Sequence, residues 1–414
     1  MEPLQSAPTL EAADATVRSV WGYPGLRGPQ RRCVAAVLHG RDCLAILPTG
    51  GGKSLCYQVP ALLLPSLTLV ISPLISLMQD QVAALRARGV AAAYLSSTQT
   101  PAVQAAVRRL IRTGPLSLLY VAPERLETLP ALLQDRAASL LAVDEAHCIS
   151  EWGHDFRPHY RRIGELRALL GAPPTIALTA TATPETRSDI RQVLGLPHPV
   201  EVVTSFDRPN LHFAVQRMGS ETARFAELRR LLRDGTGGSV IVYAPTKNRT
   251  DGIAKVLRWQ GFPAAPYHAG LPGGARRALL RRFLSGEIRV MVATTAFGMG
   301  IDKPDVRLVV HMGVPSRPEA YYQEAGRAGR DGHPSRCVLL WREPDLTLAA
   351  HFARRKGPAG TPAARAQLNA AERALATMRT YVTGRRCRRA VLLEYLGEKL
   401  GRCAGCDRCD GSAL

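Results

Sequence analysis

Between about residue 40 and residue 200, short apolar runs alternate with longer stretches whose apolar residues recur at helical spacing. The runs are Cys43–Leu47, Thr68–Ile71, Ala91–Leu95, Ser117–Val121, Leu140–Val143 and Thr175–Leu178, with Ser76–Ala87 and Pro101–Arg112 among the helical stretches. Strands that alternate with crossover helices predict a parallel sheet covered on both faces. The pattern pauses over Gly195–Gly219, which carries Pro197, Pro199 and Pro209. It resumes with Val240–Tyr243, Ala264–Tyr267, Val290–Ala293, Leu308–His311 and Cys337–Leu340. The expected fold class is α/β, with two parallel-sheet domains, 1–205 and 206–345. After about residue 345 the strands stop. Residues 346–414 hold 13 Lys/Arg against 5 Asp/Glu and read as a small, helical, basic module.

Composition narrows the function classes. The 414 residues carry 54 Lys/Arg against 34 Asp/Glu, a formal charge of +20, which favours a polyanionic partner and says nothing about fold. Nine cysteines at irregular spacing are too few for a secreted disulfide scaffold and fit a reducing, cytoplasmic setting. The N-terminus lacks the basic and apolar regions of a signal peptide. Val59–Met78 is apolar over the length of a membrane span, but Pro60, Pro65 and Pro73 interrupt it. It reads as a helix end, a buried strand and a helix start, with no membrane partner.

Several motifs follow strands. Leu47–Ser54 (LPTGGGKS) comes after the first strand and opens a helix, the setting of a phosphate-binding loop. Leu47 stands where the full pattern has Gly. Thr49, Gly50, Gly51 and Gly52 still let backbone N–H groups converge on phosphate oxygens. Lys53 would reach the β/γ-phosphates of ATP, and Ser54 would hold Mg²⁺. In Leu141–Cys148 (LAVDEAHC), Asp144 is placed to hold Mg²⁺ through water, and Glu145 to deprotonate an attacking water. Tyr321–Gly332 (YYQEAGRAGRDG) spaces Gln323, Arg327 and Arg330 as on one side of a helix. The guanidinium groups of Arg327 and Arg330 suit transition-state charge on a γ-phosphate. Cys403, Cys406 and Cys409 stand at C-x2-C-x2-C spacing and, with Cys387, offer four thiolates for structural zinc. An iron–sulfur cluster is the chemical alternative.

The order LPTGGGKS, VISPLISLMQDQV, YVAPERL, VDEAHC, ALTATAT, YHAGL, VATTAFGMGIDKPDVR and QEAGRAGR resembles the superfamily 2 helicases. More narrowly, the chain is similar to the RecQ family of DNA helicases over roughly residues 20–410. Ile149–Tyr160 (ISEWGHDFRPHY) resembles that family's aromatic-rich loop. The resemblance implies two tandem RecA-like P-loop domains that clamp ATP, followed by a helical zinc-binding module. It places Tyr23, Arg27 and Gln30 at the adenine, with Leu26 where Phe is usual. Gly300 and Asp302 join the nucleotide site. Trp152, His154, Phe156 and Arg157 would stack on and bind single-stranded DNA, with Glu151 and His159 departing from the usual Gln and Asp. Thr179, Thr181 and Thr294 would link ATP to backbone phosphates. His268 in YHAGL is a weaker candidate, since a lone His is more often structural.

The family implies an ATP- and Mg²⁺-dependent helicase with 3′-to-5′ polarity, acting on single-stranded and tailed or branched DNA in repair and recombination. A monomer is expected, with single-strand-binding or other repair proteins as partners and nucleoid association in a bacterium. The chain ends five residues after Cys409, so the winged-helix and helical C-terminal domains of larger members are not expected. Two alternatives stay open: a DNA-stimulated ATPase or annealing factor without autonomous unwinding, and an RNA helicase.

Overall fold

The computed structural model describes residues 8–48, 50–133, 136–150, 156–234, 237–298, 301–354 and 362–411. The chain divides into two compact units, Met1–Ser205 and Phe206–Leu414. Among the described residues, the first unit has strands β1 (Cys43–Ile46), β2 (Leu67–Ile71), β3 (Ala92–Leu95), β4 (Leu118–Val121), β5 (Ala138–Val143), β6 (Thr175–Thr179) and β7 (Val200–Val203). They form one parallel sheet in the order β3-β4-β2-β5-β6-β1-β7. The second unit has β8 (Leu211–Arg217), β9 (Ser239–Tyr243), β10 (Ala264–Tyr267), β11 (Val290–Ala293), β12 (Val306–His311) and β13 (Ser335–Trp341). These are also parallel, ordered β10-β11-β9-β12-β13-β8.

Central strands read as unbroken apolar runs because helices cover both faces. Leu44, Ala45, Leu69, Val70, Leu141 and Ala142 are fully buried. The apolar stretch from Val59 is the end of helix Leu55–Ala61, then β2, then helix Ile75–Arg86. No described helix is long and apolar enough to cross a membrane.

The pause over Gly195–Gly219 hides two strands, β7 and β8. Both lie at sheet edges, and polar residues break their apolar runs. Glu201 interrupts β7, and His212 and Gln216 interrupt β8.

The tail belongs to the second unit. Met378, Tyr381, Val391, Leu392 and Cys406 share a core cluster with Phe213, Tyr321 and Leu339. The free edge of β8 is covered by the cysteine knuckle. Phe213 forms a parallel bridge with Cys406, its carbonyl accepts the Asp407 N–H at 3.0 Å, and Val215 N–H donates to Asp407 Oδ2 at 3.0 Å.

Candidate nucleotide and metal sites

In a parallel sheet every strand points its C-terminal end the same way, so loops leaving neighbouring strands gather at one edge. Here β1, β6 and β5 are neighbours, and each ends in a motif. The phosphate loop follows β1 and is tied to the end of β6 by Leu47 N–H donating to Thr179 O at 3.0 Å. Gly50 and Gly52 take φ of +81° and +71°, which favours glycine. A Cβ at Gly52 would also strike the Gln30 amide. The Lys53 ammonium donates to Leu47 O at 3.3 Å, folded back over the loop. Ser54 precedes helix Leu55–Ala61. Thr49 lies outside the described residues.

Asp144 leaves β5, its N–H bonded to Ile71 O, and its Oδ1 accepts the Glu145 N–H at 3.0 Å. Glu145 is a non-glycine in the left-handed region, φ 48° and ψ 48°. Such strain persists only where surrounding contacts enforce it. His147 supplies one of them, with Nδ1 3.3 Å from Glu145 Oε2 and 2.9 Å from Thr179 Oγ1. Tyr160, buried, donates to Asp144 O at 3.0 Å. The motifs that contain Tyr160 and His147 assign neither a role, because a buried hydroxyl on a carbonyl leaves no sequence signal.

Burial, then the adjacent Glu145 carboxylate, push Asp144 up to about 7 against the pull of Lys53. Two neighbouring carboxylates at a strand end next to a Gly-Lys-Ser loop fit a divalent cation. Without metal, Asp144→Asn is expected to be the more stable protein. Because the folded value lies above the usual carboxylate range, its advantage is near zero below about pH 4, grows between about pH 4 and 7, and is level above. The plateau should be on the order of 2–4 kcal/mol. Thermal unfolding in chelator across pH checks this; equal midpoints at pH 8 would show that burial does not strain the carboxylate.

Other residues sit differently from expectation. Gln30 is 3% exposed and its amide is engaged within the unit. Its Oε1 accepts the Arg27 N–H at 2.8 Å, and its Nε2 donates to Gly51 O at 3.1 Å and Gly52 O at 3.2 Å. In this conformation it braces the phosphate loop rather than presenting an adenine-reading edge. Tyr23 is half exposed and Arg27 caps helix Gly28–Leu38, both open to a ligand. Leu26 packs with Ala13, Val17, Val34 and Val59, filling the place where the family has Phe. Thr179 and Thr181 are buried, and Thr179 donates to Thr181 O. They connect motifs inside the unit and do not face solvent. Trp152 and His154 lie outside the described residues. Phe156 and Arg157 are half-buried, and Arg157 Nη1 donates to Pro73 O at 2.7 Å.

In the second unit the helix expected to carry Gln323, Arg327 and Arg330 is shorter. It spans Pro318–Ala325 and holds Gln323, while both arginines follow in a turn segment. Gly329, in the turn after the helix, has φ +57°, and a Cβ there would strike the Asn210 amide, so this position requires glycine. Arg327 is 7% exposed. Arg330 donates to Ile301 O at 2.6 Å and Asp302 Oδ1 at 2.9 Å. Asp302 is thus an arginine partner here. Thr294 caps a turn at the end of β11 by accepting the Ala296 N–H. Gly300 lies outside the described residues. His268 is buried against Asp251 at 3.0 Å.

Cys387, Cys403, Cys406 and Cys409 bring their sulfurs within 4.8 Å of one another, with Cys387 and Cys406 3.9 Å apart. Tetrahedral Zn–S bonds of about 2.3 Å require sulfurs about 3.8 Å apart, so the set fits zinc. Burial raises the Cys406 thiol, but the N–H groups of Arg388 and Arg408 outweigh it and favour thiolate. Buried Arg388 donates from Nε to Asp407 Oδ1 at 2.9 Å and lies over the Tyr381 ring. The other five cysteines are buried.

Residues 27–190 match the DEAD/DEAH box helicase model, 223–332 the helicase conserved C-terminal domain, and 344–410 the RecQ zinc-binding model. The probable ATP-dependent DNA helicase RecS of Bacillus subtilis is 41% identical over 80% of this chain and 67% of its own. The chain belongs to the RecQ helicase family. RecQ of Pasteurella multocida is 42% identical over 97% of this chain. The chain spans 63% of that relative's length. A putative ATP-dependent RNA helicase of Acanthamoeba polyphaga mimivirus is 39% identical over 95% of this RecQ-family chain and 71% of its own. The fold is shared with the DUF1998 helicase MrfA bound to DNA (TM-score 0.69, 21% identity, 85% and 54% of the two chains). It is shared equally with Mss116p bound to single-stranded RNA (TM-score 0.69, 18% identity, 96% and 93%).

Proposed function

We propose that this RecQ-family chain hydrolyses ATP with Mg²⁺, uses the cycle to move 3′ to 5′ along single-stranded DNA, and parts tailed duplexes. The observation that carries the reading is the gathering of the phosphate loop, Asp144–Glu145 and Thr179 at the ends of three adjacent strands. Lys53 and the loop amides would bind the phosphates. Ser54 and Asp144 would hold Mg²⁺, which supplies charge neutralisation at the β/γ-phosphates. Glu145, held by His147, would take the proton of the attacking water. Arg327 and Arg330 would donate to transition-state charge, which asks Arg330 to exchange Asp302 for phosphate. Tyr23 and Arg27 would meet the base. Trp152, His154, Phe156, Arg157 and Thr294 would contact DNA.

The test is strand displacement on 3′-tailed, 5′-tailed and blunt DNA duplexes with ATP and Mg²⁺, beside Lys53→Ala. Displacement of the 3′-tailed duplex alone, absent in the variant, is expected. DNA-stimulated hydrolysis without displacement would instead make the chain a translocase or annealing factor. The mimivirus relative's name motivates an RNA arm, and stimulation by RNA alone would overturn the DNA assignment. DNA affinity should fall by on the order of 10³-fold or more between 50 and 200 mM salt if six or more phosphates are contacted, as titrations would show.

A further inference from the structure

Behind the phosphate loop, the apolar core of the first unit contains a group of polar side chains that the proposed chemistry does not use. Gln58, in the helix that opens at Ser54, is 4% exposed. Its Nε2 donates to Gln81 Oε1 at 2.8 Å and to Tyr120 OH at 2.9 Å. Tyr120 OH lies 3.5 Å from Tyr57 OH, on the same helix as Gln58. Both tyrosines are 1% exposed. Burying an amide and two phenols costs more than an apolar core of the same shape unless every member is satisfied.

The far end of the network is Gln81, on helix Ile75–Arg86. That helix begins two residues after Pro73, whose carbonyl accepts Arg157 Nη1 at 2.7 Å. Arg157 belongs to the aromatic-rich segment assigned above to DNA. A continuous set of bonds and one rigid helix therefore joins the DNA-side arginine to the helix that follows Ser54. Displacing Pro73 along the helix axis moves Gln81, and Gln81 is bonded directly to the phosphate-loop helix.

We infer that Gln58 and Gln81 are positioning residues, whose hydrogen bond passes DNA engagement at Arg157 to the phosphate-loop helix and so raises ATP turnover. This rests on the DNA-stimulated ATPase reading above. Neither glutamine touches nucleotide or DNA; each acts through its helix. A contiguous path becomes evidence of coupling only when breaking it uncouples the two ends.

The experiment measures ATP turnover of the full chain with and without a saturating oligo-dT single strand, for the unaltered protein, Gln81→Leu and Gln81→Glu. Gln81→Leu keeps volume and loses the acceptor; Gln81→Glu keeps an acceptor for Gln58 Nε2. Expected is a drop of about tenfold in the DNA stimulation factor for Gln81→Leu, with basal kcat and the KM for ATP within about twofold. Gln81→Glu should retain the stimulation. Oligo-dT affinity of Gln81→Leu should be unchanged, which separates lost coupling from lost binding. The inference is overturned by unchanged stimulation in Gln81→Leu, or by a parallel fall in basal turnover, which marks a purely structural role. An unaltered protein that hydrolyses ATP without any DNA stimulation would overturn the functional reading as well. Unfolding midpoints within about 4 °C of one another would show that the variants remain folded.

Discussion

Glu145→Gln is expected to bind ATP and to hydrolyse it about 10²–10⁴-fold more slowly, the range for removing a positioned general base. The carboxylate is set up for that role by unusual means. Its backbone sits at φ 48°, and its side chain is held toward His147, itself bonded to Thr179 at the end of the adjacent strand. The amide keeps the shape and a hydrogen-bonding oxygen but cannot take a proton. Nucleotide affinity, measured with a fluorescent ATP analogue, should persist, because the phosphates are met by Lys53 and the loop amides. Lys53→Ala should fail at the binding step instead. Turnover of Glu145→Gln within tenfold of the parent would place the base elsewhere and remove the main support for the hydrolytic reading. Strand displacement should disappear with turnover.

Removing metal from the four-cysteine knuckle is expected to loosen the whole second unit. Cys406 and Asp407 supply the backbone and carboxylate partners of Phe213 and Val215 along the free edge of β8. Arg388 ties Asp407 to Tyr381, whose hydroxyl meets Tyr321 OH at 3.0 Å on the helix that leads to Arg327. Without the metal, four thiols lose what holds their loop against the sheet, and an edge strand is left uncovered. A strong chelator, or Cys406→Ser, should destabilise this unit by at least about 3 kcal/mol. Amide exchange in β8 should accelerate while β1 and β5 in the first unit stay protected. Unaltered protection of β8 would show that the knuckle is an independent appendage. Elemental analysis of the purified chain should find one zinc and no iron; iron would replace zinc by a cluster in the same thiolates.

Much of this protein is legible in its sequence because the signals are local. A central strand of a parallel sheet is buried on both faces, so β1, β2, β5 and β9 announce themselves as apolar runs. The phosphate loop, the DEAH segment and the cysteine knuckle are contiguous, and their spacing alone carries their chemistry. Two strands escape that logic. β7 and β8 mix polar and apolar residues, with Glu201 in one and His212 and Gln216 in the other, and they lie in what reads as a proline-rich pause.

What needed the tertiary structure is every relation between residues distant in the chain. Sequence spacing suits Arg327 and Arg330 on one helix; the helix ends at Ala325, and in the turn that follows Arg330 is bonded to Asp302. The resemblance places Gln30 at adenine, and only the structure adds that its amide is bonded to the phosphate loop more than twenty residues away. The tail reads as a separate basic module, yet its knuckle closes the edge of the second sheet. Two parallel-sheet domains, a nucleotide loop with its acid pair, and a four-thiolate site can all be read along the chain, because backbone geometry and ligand spacing are local properties. The tertiary fold alone decided which buried polar groups meet, Gln58 with Gln81, His147 with Thr179, Asp407 with β8. Such partners are chosen by strand order and by the cost of leaving a buried donor unpaired, and neither is written in any single stretch of chain.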